Sequence, residues 1–247
     1  MIITPNWPAP SNTRAAITTR DSGVSQGVYH SWNMGAHVQD DPAAVESNRK
    51  KLIEQLALQQ SPQWLEQVHG NKVVEAKSDA RVRTADACYT REKELACVVM
   101  TADCLPVLLC DKQGTQVAAV HCGWRSLAQS IVEKTVDTFA DSSQIMAYLG
   151  PAISKQHFEV GIDVLEVFFQ SSRSPLHTDQ IAAAFTPGQR PLHFYADIYA
   201  LARAELQALG VTQIFGGGDC TFVQSDKFYS YRRDGVTGRM ASLIWLL

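Results

Sequence analysis

No apolar run in the 247 residues approaches the ~18 positions that a membrane span needs. The densest stretches, Leu95 to Met100 and Leu105 to Cys110, are interrupted by Thr101, Asp103 and Pro106. The start, Met1-Ile2-Ile3-Thr4-Pro5-Asn6-Trp7, lacks the charged and apolar regions of a signal peptide. A cytoplasmic chain with no membrane partner is therefore expected. A basic excess is missing too. Twenty-two Lys and Arg face 25 Asp and Glu, a net charge of -3, which argues against a nucleic-acid partner. The six cysteines form no CxxC pair, which excludes a zinc ribbon or a thioredoxin-type site. The seven histidines form no His-x-His pair, which excludes a four-copper oxidase centre. There is no internal repeat and no low-complexity segment. What remains is an ordinary globular composition, 45% hydrophobic and 19% charged. At ~150 residues per domain the length allows one or two domains, with a core that needs neither disulfide nor metal to fold.

Short apolar strands alternate with a few helices. Asp40-Asp41-Pro42 predicts a helix start, with Val45, Leu52, Ile53 and Leu56 on one face. Strands are expected at Trp64 to Val68, Leu95 to Met100 and Val107 to Cys110. The turn Asp111-Lys112-Gln113-Gly114 predicts a hairpin into Val117 to Val120. A helix after Trp124 should bury Leu127, Ile131, Val132, Val136 and Phe139. Ile145 to Leu149 reads as a strand, Gly161 to Gln170 as a helix, and Ser171 to Pro175 as a loop or linker. Asp197 to Leu209 reads as a helix closed by Gly210; Phe228 to Tyr231 and Met240 to Trp245 read as strands. Strands arriving both as hairpins and through helices imply a mixed sheet, hence an α+β single domain over residues 1–247.

Three side chains stand where a strand runs into a tight loop: His69, Cys104 and His121. The hairpin makes Cys104 and His121 neighbours; His69 has to join them through tertiary structure. Two imidazoles and a thiolate suit zinc or copper, and three protein ligands leave a fourth position open for chemistry. No short-range ligand motif supports that set, and a strand-end histidine is ordinarily a structural hydrogen-bonding group. Cys122 makes a poor fourth ligand, because adjacent residues of an extended segment point to opposite faces. Cys97 and Cys110 read as small buried hydrophobes.

The segments Glu66-Gln67-Val68-His69-Gly70, Thr101-Ala102-Asp103-Cys104-Leu105-Pro106, His121-Cys122-Gly123-Trp124-Arg125 and Phe228-Tyr229-Ser230-Tyr231-Arg232-Arg233-Asp234 closely resemble the YfiH family. These are the laccase-domain polyphenol oxidases, read as FAMIN-type multifunctional purine nucleoside phosphorylases. Ser31-Trp32-Asn33-Met34-Gly35, Asn48-Arg49, Leu149-Gly150-Pro151 and Cys220-Thr221 extend the match from about residue 15 to the end. The resemblance implies a layered α/β fold with a mixed β-sandwich core flanked by helices. It implies a catalytic zinc on His69, Cys104 and His121. It also implies phosphorolysis of adenosine, inosine, guanosine and methylthioadenosine to base and ribose 1-phosphate, with adenosine deaminase activity beside it. Cys122 departs from the small residue relatives often carry there.

The remaining polar groups are fitted to that chemistry as candidates. Arg125, Arg232 and Arg233 are candidates for seating phosphate, since a guanidinium donates two parallel hydrogen bonds. Asp103 is a candidate either to orient a ligand histidine or to act as a general acid. Asn33 and Gln67 are candidates for base or sugar contacts. Copper at the same three ligands, with Met34 or Met100 as an axial ligand, would allow slow polyphenol oxidation. The alternative function is a Cys104–His121 hydrolase or deamidase, or an amidase acting on peptidoglycan precursors. The partners expected are a purine nucleoside and phosphate, in a monomer or small homo-oligomer.

Overall fold

Alternation along one hairpin organises the architecture. Leu105–Asp111 pairs antiparallel with Val117–Cys122, and all but Asp111 are buried, so both faces must be covered. On one face Leu108, Cys110, Val117 and Ala119 pack against Cys97, Val99, Ile244 and Leu246 of a second sheet. On the other, Val107, Leu109, Ala118, Val120 and Cys122 pack against Leu127, Ile131, Val132 and Leu201 from helices. The computed structural model describes residues 1–247 and builds outward from this hairpin.

The hairpin lies at the centre of a six-stranded sheet. Its order is Gln213–Gly216, Ile145–Leu149, Leu105–Asp111, Val117–Cys122, Ala87–Thr90 and Val73–Glu75. The two outermost pairs are parallel and the others antiparallel. The facing sheet has the order Ile2–Ile3, Thr13–Thr18, Met240–Leu246, Cys97–Thr101, antiparallel throughout. Trp32, Met34, Leu52 and Trp64 cover its outer face, Leu52 coming from the helix Pro42–Gln55. The result is an α+β fold, two sheets between helical layers, as the sequence pattern predicts. Asp41 accepts from the Ala43 N–H and Pro42 fills the first helical turn, which starts that helix where expected. Gly210, at φ +87°, follows the end of Ile198–Ala208.

Four elements differ from the sequence reading. The strand expected at Trp64 to Val68 is only Leu65–Glu66. The single helix expected after Trp124 is two, Trp124–Ala128 and Ile131–Val136, because Ser130 is left-handed at φ +65°. Leu127, Ile131, Val132, Val136 and Phe139 nevertheless share the core. Phe228 to Tyr231 is not a strand. Phe228 and Tyr229 are buried with Ala102 and Met240, and Tyr231–Asp234 is a helical turn capped by Ser230. Ser171 to Pro175 is no free linker: Ser174 caps a further helix, Pro175–Ala184, which the alanine-rich sequence did not announce.

Arg173, in that link, is held between Glu133 and Glu205 at 2.6 Å each. Glu205 is buried, so losing its partner leaves an uncompensated charge. Arg173→Ala should cost about 2–3 kcal/mol in denaturant unfolding, a partly exposed case of the larger penalty for fully buried pairs. Beside it, buried His177 accepts the Arg173 N–H at Nδ1, which requires the neutral ring. Burial is the largest influence and, helped by the smaller effect of Arg173, holds its pKa below 6.5 against the upward pull of Glu205. The unfolded chain therefore takes up this proton first as pH falls, and stability should decline below about pH 6.5. His177→Gln should flatten that decline.

Candidate metal centre and its cleft

The hairpin register brings the first two candidates together. Leu105 is opposite Cys122 and Pro106 opposite His121, so Cys104 lies across from Gly123 and on the face that His121 shares. Cys122 points the other way, into the helical core, where burial pushes its thiol pKa up. The thiol next to His121 is thus removed from the centre.

His69 arrives from the loop after Leu65–Glu66, in a left-handed conformation at φ +58°. Asp86 holds it there. Its carboxylate accepts the N–H groups of Val68, His69 and Gly70 at 3.3, 2.9 and 2.7 Å. Three successive amides closing on one anion form a nest, which repays the strained backbone. The same carboxylate meets His121 Nδ1 at 2.8 Å, while the Asp86 carbonyl accepts the His121 N–H at 2.8 Å. Asp86 precedes the strand Ala87–Thr90, which pairs with Val117–Cys122, so its position follows from the sheet. One fully buried carboxylate therefore fixes the backbone of one histidine and the ring of the other. With Nδ1 occupied, His121 is left with Nε2 for a ligand.

The donor atoms of His69, Cys104 and His121 all lie within 4.8 Å of one another. Cys104 Sγ is 3.8 Å from His69 Nε2, and the imidazoles stand edge-on, 77° apart. Ligands at about 2.0–2.3 Å around a tetrahedral zinc are separated by about 3.5 Å, so the Cys104–His69 edge fits such an ion. The donor set fits zinc or copper. Gly123 keeps the space open, since a Cβ there would sit 3.0 Å from the His69 ring and 3.2 Å from Cys104 Sγ. Its φ of -61° suits alanine, so Gly123→Ala should fold normally. It should bind metal about tenfold more weakly in a competitive chelator titration, an effect in the range of displaced ligand supports.

Charges within the trio reinforce one another. Burial alone would raise the Cys104 pKa, but His121 and His69 bring it down to about 6. Burial alone would lower that of His121, but Cys104 and Asp86 push it up to about 9. Burial works against Asp86 ionisation as well, yet His121 and the loop amides hold its pKa below the usual carboxylate value. Both shifts favour, in the metal-free pair, a thiolate beside an imidazolium.

The trio opens into a cleft of about 420 Å³ whose lining includes His37, Gln67, Met100, Arg125, Tyr231 and Arg239. Of the other sequence candidates, Arg125 and Gln67 reach it. The Gln67 amide is already engaged with the Met100 main chain, at 2.8 and 2.7 Å. Asn33 does not reach it: it is buried, bonded to Gly35, Asp40 and the Arg239 N–H. Asp103 is not the group that orients a histidine. Its carboxylate is bound at 2.6 Å by the Thr221 hydroxyl and at 2.6 Å by the Arg232 N–H, and Asp86 has the orienting role. Nor do Arg232 and Arg233 offer a phosphate seat in the cleft. The Arg232 guanidinium donates to the carbonyls of His157 and Glu159. That of Arg233 binds the carbonyls of Thr221, Phe222 and Phe228 and the Asp234 carboxylate. The strand reading of this segment pointed these side chains wrongly. Of the two methionines considered as axial ligands, Met100 lines the cleft, whereas Met34 is in the outer core. Sequence reasoning missed Asp86, His37, Tyr231 and Arg239, none of which belongs to a local ligand pattern.

Residues 14–247 match a family model described as multi-copper polyphenol oxidoreductase laccase. The chain is 50% identical over 245 residues to a protein from Pseudomonas aeruginosa named purine nucleoside phosphorylase, covering 99% of this chain and 98% of that one. It is 47% identical over 248 residues to the Escherichia coli K12 protein named purine nucleoside phosphorylase YfiH, covering 100% and 99%. A solved Neisseria meningitidis structure superposes with a TM-score of 0.92 at 48% identity, covering 99% of this chain and 98% of that one. YlmD from Geobacillus stearothermophilus superposes with a TM-score of 0.87 at 30% identity, covering 97% and 94%.

Proposed function

The chain belongs to the YfiH family, and from that premise we propose that it is a zinc-dependent purine nucleoside phosphorylase, one domain over residues 1–247. Its substrates are adenosine, inosine, guanosine and methylthioadenosine, with adenosine deamination as a side reaction. The observation that carries the reading is the convergence of His69, Cys104 and His121 at the floor of a cleft with cationic walls. Phosphorolysis breaks the bond from C1′ of the ribose to the purine nitrogen and forms one from C1′ to a phosphate oxygen; the purine leaves with a proton. Negative charge develops on the base while an anion enters, so a site with cations and no carboxylate in its lining suits both partners. A zinc ion held by the trio would supply Lewis acidity toward an oxygen or nitrogen of the substrate. Asp86 keeps the His121 tautomer and the His69 loop in position for that ion. Tyr231, largely exposed on the cleft wall, offers an aromatic face to a purine.

The name laccase attached to the family model suggests copper chemistry, and the same three ligands could accept copper. The molecule has one cluster of three His, Cys, Asp or Glu able to hold an ion, whereas reducing oxygen to water takes four electrons. Dye oxidation is therefore expected as a slow property of copper-loaded protein and to be lost with zinc alone. One observation favours the metal-free reading: Cys104, His121 and Asp86 follow one another as a thiol nucleophile, its base and an orienting acid would. No helix is long and apolar enough to cross a membrane. All six cysteines are free, as a reducing cytoplasm would keep them.

The test is an assay of metal-quantified protein with adenosine, with and without phosphate. Adenine and ribose 1-phosphate should appear together, and only with phosphate. Adenine release that ignores phosphate, or turnover that survives complete chelation, would overturn the proposal.

A further inference from the structure

We propose that Arg239, assisted by Arg125, is the seat of the phosphate co-substrate, an assignment that rests on the phosphorolysis reading above. The charged side chains lining the cleft beside the metal trio are Arg125 and Arg239, and no Asp or Glu is among the lining residues. An adjoining hollow of about 240 Å³ shares His37, Tyr231 and Arg239 and is also without a carboxylate. An anion entering here meets two guanidinium groups and no free carboxylate, since the nearby Asp103 carboxylate is taken up by the Thr221 hydroxyl and the Arg232 N–H.

Arg239 is built for a ligand rather than for the fold. Its backbone is fixed on both sides: its N–H donates to Asn33 Oδ1 at 2.9 Å, and its carbonyl accepts the Met34 N–H at 3.0 Å. Gly35 lets the stem pass, since a Cβ there would lie 2.9 Å from Arg239 Cγ. Nη1 is anchored to the carbonyls of Thr237 and Gly238 at 2.9 and 3.0 Å. Those bonds use one corner of the guanidinium. The Nε–Nη2 edge donates to no protein acceptor, yet neither atom is sealed off from solvent. That edge is the fork that binds two oxygens of a tetrahedral anion in parallel.

Four arginines elsewhere in the molecule are neutralised by a carboxylate. Arg83, Arg173, Arg190 and Arg233 each pair with a carboxylate. Arg239 is partly buried and pairs with none; Arg49, likewise partly buried and without a carboxylate, spends its Nε and Nη2 on the Met34 carbonyl, whereas Arg239 keeps that edge unspent for a ligand. Arg125 is exposed, stacks over the Trp124 ring at 4.8 Å, and follows the helix start just after His121. It is free to close on an anion that Arg239 has already placed. Asn33, read from the sequence as a substrate contact, instead supports the Arg239 backbone from beneath.

The experiment measures inorganic phosphate binding to zinc-loaded protein by calorimetry, alongside phosphate and nucleoside KM values. Arg239→Gln should weaken phosphate binding and raise the phosphate KM about 10–100-fold, the scale of a lost charge-assisted pair. Its nucleoside KM should shift less than about twofold, and its zinc content should stay at the wild-type level. Arg239→Lys, which keeps the charge but not the fork, should fall between. Arg125→Gln should show a smaller rise, below about tenfold. A fully zinc-loaded Arg239→Gln protein with an unchanged phosphate KM would remove the seat and leave phosphorolysis standing. Wild-type protein that binds no phosphate and cleaves nucleoside with water would overturn both.

Discussion

Replacing Cys104 with alanine is expected to strip the bound ion and to cut ribose 1-phosphate formation by about 10³-fold or more, the scale of lost metal catalysis. The more decisive variant is His69→Ala. If Cys104 were a nucleophile with His121 as its base, His69 would be dispensable and most turnover would survive. If the three side chains share an ion, the His69 variant should be as damaged as the Cys104 variant, and the double variant little worse than either. Elemental analysis of each purified protein, with phosphorolysis measured on the same sample, separates the outcomes. An active, metal-depleted His69→Ala protein would refute the shared centre.

Asp86→Asn should produce the second-largest change. The substitution preserves shape but gives His121 Nδ1 and three loop amides a neutral partner. Metal affinity should fall about 10–100-fold, as for other carboxylates behind a ligand histidine. Stability should fall by about 2–3 kcal/mol, because buried donors lose a charged acceptor. The pH dependence identifies the cause. In the wild type, the His121 pKa near 9 means that an incoming ion displaces its proton at neutral pH, whereas Cys104, near 6, is already ionised. Affinity should therefore climb with pH between about 6 and 9, by at most tenfold per unit, with one proton released per ion. Without the Asp86 charge His121 is less basic, so the climb should level off at lower pH. Chelator competition across that range measures both curves; superimposable profiles would deny Asp86 its electrostatic part.

Much of this molecule was legible because its signals are local. The turn at Asp111 to Gly114 fixes the hairpin register, and the register alone brings Cys104 beside His121 and turns Cys122 away. His69 stood out only as another strand-end histidine, and the family motifs, spread along nearly the whole chain, joined it to the other two as a candidate ligand where spacing could not. Asp86 was illegible for the opposite reason: an acid before a short strand looks like any surface residue, and only zero exposure marks it out. Arg232 and Arg233 were misjudged through the backbone, since a helical turn read as a strand sends each side chain to the wrong side. Arg239 lacks any pattern, and its meaning lies in a guanidinium edge that no protein acceptor takes up.

The grip of Asp86 on both histidines has a consequence for how this protein should be handled. A socket whose shape is set by amides and a carboxylate is finished before its occupant arrives, and its imidazole and thiolate donors suit copper as well as zinc. If the proposed centre is filled, the element it carries should follow the growth medium and the buffers, with copper displacing zinc wherever both are plentiful. Preparations with different histories should differ in colour and in side reactivity while sharing one fold.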